Sequence, residues 1–223
     1  MRDISTQHQQ IYQALCEDLI SGRFAPGTNI SARGLSGAMD VGLMPVRGAI
    51  TRLVGERALE VQRNGRICVP ALTRHRFDEL MQARLQLEPI CATRALPFIT
   101  SETIAEMEAC DRRMNESYVT GDAGAYMREN YRFHFTLYRS GASDVLVPLL
   151  ESVWMQFGPF MRSVFSMDGK SEIVDKHQMA LEAIRRCDAE SLSLAIQADI
   201  ADAAYFLGQT LDDRAADIAG SPD

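Results

Sequence analysis

The sequence predicts a mainly α protein in two parts, a small helical head closed by a β-hairpin and a larger all-α antiparallel helical bundle. Three observations carry this reading. Apolar residues recur at three- and four-residue spacing through most of the chain. Alternation with a period of two is confined to the run LEVQRNGRICVPAL around Asn64-Gly65. Pro70 to Thr73 then breaks the pattern as a linker, and after it no convincing strand follows.

The first helix is expected through QHQQIYQALCEDLISG, where Ile11, Leu15 and Leu19 make one apolar face and Gly22 ends it. Phe24-Ala25-Pro26-Gly27 is a turn. A second, glycine-rich helix starts near Ser31, a good cap for free amides, and is expected to close at Gly42. The third starts near Met44-Pro45, with proline tolerated in the first turn, and turns Val46, Ile50, Leu53 and Val54 inward. Asn64-Gly65 is the favoured pair for a tight primed turn. Three helices followed by a hairpin within about 70 residues is the order of a winged helix-turn-helix domain. We assign residues 1–72 to it.

Residues 73–215 are read as the bundle, with helical segments near 75–96, 101–118, 121–140, 143–166, 171–187 and 188–212. They are separated by Pro97, Thr100, Gly121, Gly141, Gly169 and Asp188. Thr73 caps the first. The polar end, residues 216–223, is expected to fray.

Composition narrows the function. The net charge is −7, yet through His75 there are nine arginines, no lysine and six acids, which leaves −10 for the rest. A basic head on an acidic body suits a nucleic-acid reader with a separate sensor. No run of about 18 apolar residues crosses a membrane and no secretory signal opens the chain, so a cytoplasmic location is expected. The five scattered cysteines form no CxxC pair and are read as buried thiols. No nucleophile–base motif, phosphate loop or HExxH occurs, which argues against an enzyme.

The run GRFAPGTNISARGLSGAMDVGLMPVRGAITRLVGERALEVQRNGRICV resembles the DNA-binding head of GntR-type regulators, through Pro26-Gly27, Pro45-Val46-Arg47, Arg52-Leu53 and Gly65. ARLQLEPICATRAL, NYRFHFTLYRSGAS and KHQMALEAIRRCDAESLSLAIQADI resemble the FadR-type sensor, or FCD domain. Together the likeness spans nearly the whole chain. It implies a transcriptional regulator, a repressor in the commoner arrangement, whose homodimer binds a double-stranded DNA operator and responds to a small carboxylate effector.

Within this frame Arg47 is the first choice for a base contact. It lies on the polar side of the third helix's first turn, where recognition helices meet base edges and arginine pairs with guanine. Arg33, at the start of the second helix, is placed to approach a phosphate or base, and the resemblance implies DNA-contacting arginines at both positions. Asn64, Gly65 and Arg66 would carry the wing tip into the minor groove. The family usually has Ser-Arg before the recognition helix, where this chain has Gly42-Leu43. One base-contacting arginine is therefore missing.

For the bundle, Asn130 and His134 are four apart and share a helix face, with His177 and Asp199 on later helices. These nitrogen and oxygen donors suit a divalent ion such as zinc, nickel or manganese. Packed histidines are the plainer alternative. The resemblance implies a metal held by Asp or Asn and three histidines, and Asp199 stands where the third histidine belongs. That exchange implies either a harder metal preference or a weakened site. Arg84 and Arg162 are candidate carboxylate anchors, with an ion pair to Glu88 the structural alternative for Arg84. Two other readings remain open: a regulator that senses metal alone, and a metal-dependent enzyme.

Overall fold

The computed structural model describes residues 4–71, 73–165 and 176–220. The head runs α1 (Ile4–Ile20), β1 (Asn29–Ile30), α2 (Ala32–Met39), α3 (Leu43–Gly55), β2 (Glu60–Val61) and β3 (Ile67–Cys68). Ile11, Leu15 and Leu19 of α1 and Val46, Ile50 and Leu53 of α3 form one buried cluster, as their spacing predicts. Ser31 caps α2 by accepting from the amide of Gly34 at 3.3 Å. α2 buries no residue fully, but Leu35 and Met39 pack against the cluster and hold it despite its glycines.

Three local expectations are corrected. α2 closes at Asp40, which takes the left-handed conformation at φ 51°, whereas Gly42 is the extended N-cap of α3. The wing does not turn on a two-residue primed loop. Only Gly65 has positive φ (76°), and its amide donates to the carbonyl of Gln62 at 2.9 Å while Gln62 donates to Arg66 at 2.7 Å. That is a three-residue loop with glycine in the left-handed place, and Asn64 Oδ1 steadies it by accepting from the amide of Arg66. The third correction is β1, which pairs with β3 and makes the hairpin a three-stranded sheet of order β1-β3-β2.

The bundle comprises α4 (Arg74–Ala95), a 3-10 turn (Leu96–Phe98), α5 (Ser101–Thr120), α6 (Ala123–Ser140), α7 (Leu146–Phe165), α8 (His177–Arg185) and α9 (Ala189–Gly220). Thr73 and Thr100 cap α4 and α5 as read from sequence, and Gly121 ends α5 at φ 74°. Gly169 and residues 171–175 lie outside the described residues. α9 runs to Gly220, and residues 221–223 lie outside the described residues. No described helix is long and apolar enough to cross a membrane. Of the cysteines, Cys68, Cys91 and Cys110 are buried as expected, but Cys187 is exposed. Burial pushes the Cys110 thiol up to about 12.

α7 touches both cores. Met155 belongs to the head cluster, while Trp154, Phe157 and Met161 belong to the bundle cluster. Ser152 donates to the carbonyl of Glu56 at 2.6 Å, and Gln156 accepts from Arg76 at 2.6 Å. Gly158 lies against the end of α1, where a Cβ would meet the carbonyl oxygens of Leu19 and Ile20 and come 2.7 Å from Ile20 Cα. Backbone atoms of a helix end have little room to yield. Gly158→Ala is therefore expected to destabilise the protein by about 1–3 kcal/mol. A thermal melt should show Tm falling by about 3–10 °C, and an unchanged Tm would mean the two helices part easily.

Candidate functional site

The bundle's buried polar groups converge on one network. His134, from the middle of α6, and His177, the first residue of α8, are both buried, and Asp199 of α9 faces them. The Nε2 atoms of the two histidines are 3.4 Å apart, and His134 Nε2 is 3.3 Å from Asp199 Oδ2. One ligand atom from each of the three lies within 4.8 Å of the others.

Each histidine also has an outer partner at Nδ1. Asp111 of α5, 4% exposed, accepts from His177 Nδ1 at 3.1 Å and from Gln178 at 2.7 Å. Burial works against this carboxylate, but those hydrogen bonds outweigh it and keep its pKa below the ordinary value. On the other side, burial and the adjacent Glu88 raise Tyr138 well above the ordinary tyrosine range, so its hydroxyl keeps its proton. It donates that proton to Glu88 Oε2 at 2.7 Å, which leaves its oxygen to accept from His134 Nδ1 at 3.0 Å. Both imidazoles thus have an outer partner at Nδ1 and turn Nε2 inward. Burial opposes the Asp199 charge too, yet the His134 hydrogen bond and the His177 charge hold it well below the usual carboxylate range.

Two imidazole Nε2 atoms and a carboxylate oxygen therefore face one another with their outer faces secured. This donor set fits a divalent cation, because ligating histidines are oriented by hydrogen bonds at the other ring nitrogen. Phe133, stacked on His177 at 3.9 Å between centroids, braces the ring further. Asn130 stands one turn before His134 on α6, half-buried.

Arg84 and Glu88 sit beside this cluster at 2% and 0% exposure. Glu88 accepts from Arg84 Nε and from Trp154 Nε1, the latter at 3.0 Å. The Arg84 guanidinium lies over the rings of Trp154 and Phe157, 4.4 and 4.3 Å from their centroids. Among the described residues, Nε is the Arg84 atom that makes this bond. Arg162 falls within α7, but its side chain lies outside the described residues.

Sequence reasoning missed Asp111 and Tyr138. Asp111 had a signal, since it is an acid within the buried stripe Met107, Cys110 and Met114 of α5. Tyr138 follows His134 by four residues on one helix face.

In the head, Arg33, Arg47, Asn64, Gly65 and Arg66 are all exposed. Arg47 lies on the side of α3 opposite the buried Val46, Ala49, Ile50 and Leu53. Arg52, by contrast, is engaged: it bonds Glu56 at 2.9 Å and lies 3.6 Å over the Tyr12 ring.

Comparison with known proteins agrees in both halves. Residues 7–69 match the family model of bacterial regulatory proteins of the gntR family, and residues 79–202 match that of the FCD domain. The chain is 23% identical over 184 residues to the HTH-type transcriptional regulator McbR of Escherichia coli, covering 81% of this chain and 83% of that protein. It is 23% identical over 195 residues to the gluconate operon transcriptional repressor of Bacillus licheniformis, covering 82% and 78%. The solved structure of E. coli McbR/YncC superposes with a TM-score of 0.85 at 22% identity, over 94% of this chain and 99% of that one. The chain belongs to the GntR family of bacterial regulatory proteins, with an FCD domain behind its head, and is a DNA-binding transcriptional regulator, not an enzyme.

Proposed function

We propose that the protein is a cytoplasmic homodimeric repressor that releases its operator when the bundle binds a small carboxylate together with a divalent metal. Residues 1–72 form the reading head and residues 73–215 the sensor. The observation that carries this reading is the convergence of His134 Nε2, His177 Nε2 and Asp199 Oδ2 within 4.8 Å. With Asn130 alongside, these residues would hold the ion, and the ion supplies a positive centre for an acid's carboxylate. Two imidazoles and a carboxylate suit zinc or manganese, and carboxylate in place of a third imidazole moves preference toward the harder ion. Arg84, with its terminal nitrogens outside its bond to Glu88, would steady the acid, with Arg162 as the second candidate anchor.

Transmission is supported by α7, since Trp154 and Phe157 border the site while Ser152, Met155 and Gly158 press on the head. Ligand that shifts α7 changes the relative placement of two recognition helices, set about one DNA turn apart on a near-palindromic operator. One observation favours a second reading, in which metal alone is the signal: Arg84 already has its counter-ion in Glu88.

The DNA reading is tested with the region flanking the protein's own gene in a salt series. The expectation is specific binding with a steep salt slope, which Arg47→Ala weakens by about 1–3 kcal/mol, the worth of a bidentate arginine–guanine pair. Weak binding to every sequence alike, unchanged in the variant, would refute it.

A further inference from the structure

Among the described residues of the head, two large apolar side chains stand in solvent, Met44 at 69% exposure and Val61 at 57%. The head otherwise buries its apolar residues in one cluster, from Ile11 to Val69. Single exposed apolar residues are ordinary on a protein surface, so the position of Met44 is what matters. It is the second residue of α3, after an extended Gly42 and a half-buried Leu43. It precedes exposed Arg47 by three residues and so shares its face of the helix. The first residues of a recognition helix lie nearest the base edges in the major groove. That groove offers one apolar group, the 5-methyl of thymine, and apolar side chains read it by contact.

We infer that Met44 is a specificity-determining residue that reads the 5-methyl group of a thymine in each operator half-site. The inference rests on the operator-binding reading above. Residues three apart on a helix stand about 5–6 Å apart at Cβ, and stacked base pairs are about 3.4 Å apart. The thymine therefore lies one or two base pairs from the base that Arg47 contacts. Polar side chains at the helix start would ask for a donor or acceptor there. Gly42, Leu43 and Met44 offer none beyond the backbone, so the chain trades a hydrogen-bonded base for a methyl contact. Met44 is unbranched and adapts to the groove without a demanding rotamer.

The test begins by selecting binding sites for the full-length protein from a randomised duplex library. Each selected thymine is then replaced in turn by deoxyuridine, which removes only the 5-methyl group, and affinity is measured for wild type and Met44→Ala. The expected result is one thymine per half-site whose demethylation weakens wild type about fourfold, the weight of one buried methylene, while Met44→Ala binds both duplexes equally. Met44 is solvent-exposed, so the variant folds as wild type does, which a matched thermal melt checks. Wild type indifferent to every demethylation, or a variant that keeps the penalty, overturns the inference and leaves operator binding intact. A library that yields no enriched sequence overturns the operator reading itself, and the inference with it.

Discussion

Glu88→Ala is expected to lower stability by about 3–5 kcal/mol, the cost of leaving a buried charge without its partner. The wild-type carboxylate has no exposed surface and accepts from three donors, Arg84, Tyr138 and Trp154. Without it the Arg84 guanidinium stays 2% exposed between Trp154 and Phe157 with its charge unbalanced. The Tyr138 hydroxyl and Trp154 indole N–H lose their acceptors as well, and orphaned buried donors add to the cost. Urea unfolding measures it. The paired change Arg84→Met with Glu88→Leu should recover much of the loss, because removing both charges also removes their desolvation penalty. A loss under about 1 kcal/mol for Glu88→Ala alone would mean that water reaches Arg84 and that the pair is not a structural element.

His134→Ala is expected to lower divalent-metal affinity by more than about a hundredfold, since it removes one of a few strong donors. His134 stands at the centre of the cluster, facing both His177 and Asp199. Asp111→Asn touches no inward-facing atom and keeps an acceptor for His177 Nδ1, but it loses the charge that polarises that ring. It should weaken the metal by about tenfold, at the low end for an outer-shell carboxylate. Competition against a chromophoric chelator measures both. Equal affinity in wild type and His134→Ala would remove the metal from the account, and a silent Asp111→Asn would make the Asp111–His177 bond a packing feature.

Much of this was legible in the sequence because local rules decide it. Ser31, Thr73 and Thr100 cap helices through their own side chains, and the stripe Ile11, Leu15, Leu19 needs only the helical period. The errors arose where a choice depends on neighbours. Asp40 rather than a glycine takes the left-handed residue after α2, held there as its amide reaches back to Ser36. Asn64-Gly65 fits two loop lengths, and the register Glu60↔Cys68, Val61↔Ile67 selects the longer one. β1 is two residues long, too short for any periodicity to declare it.

The site divides in the same way. Asn130 and His134 share a face by spacing alone, and so do Arg84 and Glu88. That His177 and Asp199 meet His134 depends on the packing of α8 and α9, which no local pattern encodes. Asp111 joins the site only through its tertiary bond to His177, whereas Tyr138 adds a tertiary bond to Glu88 to its contact with His134 one turn before it.

In the function proposed, occupancy of the bundle sets the grip of the head on DNA. Its most direct test is a fluorescence-anisotropy titration of the protein onto its own flanking DNA. The titration is run after chelation, with zinc or manganese, and with metal plus each of a panel of small di- and tricarboxylates. Operator affinity is expected to change by about 5–150-fold, the usual range of coupling between sites, with at least one of these ligands. His134→Ala should abolish that change while keeping the affinity of the ligand-free protein. Affinity that stays constant while a ligand demonstrably binds the bundle would contradict it.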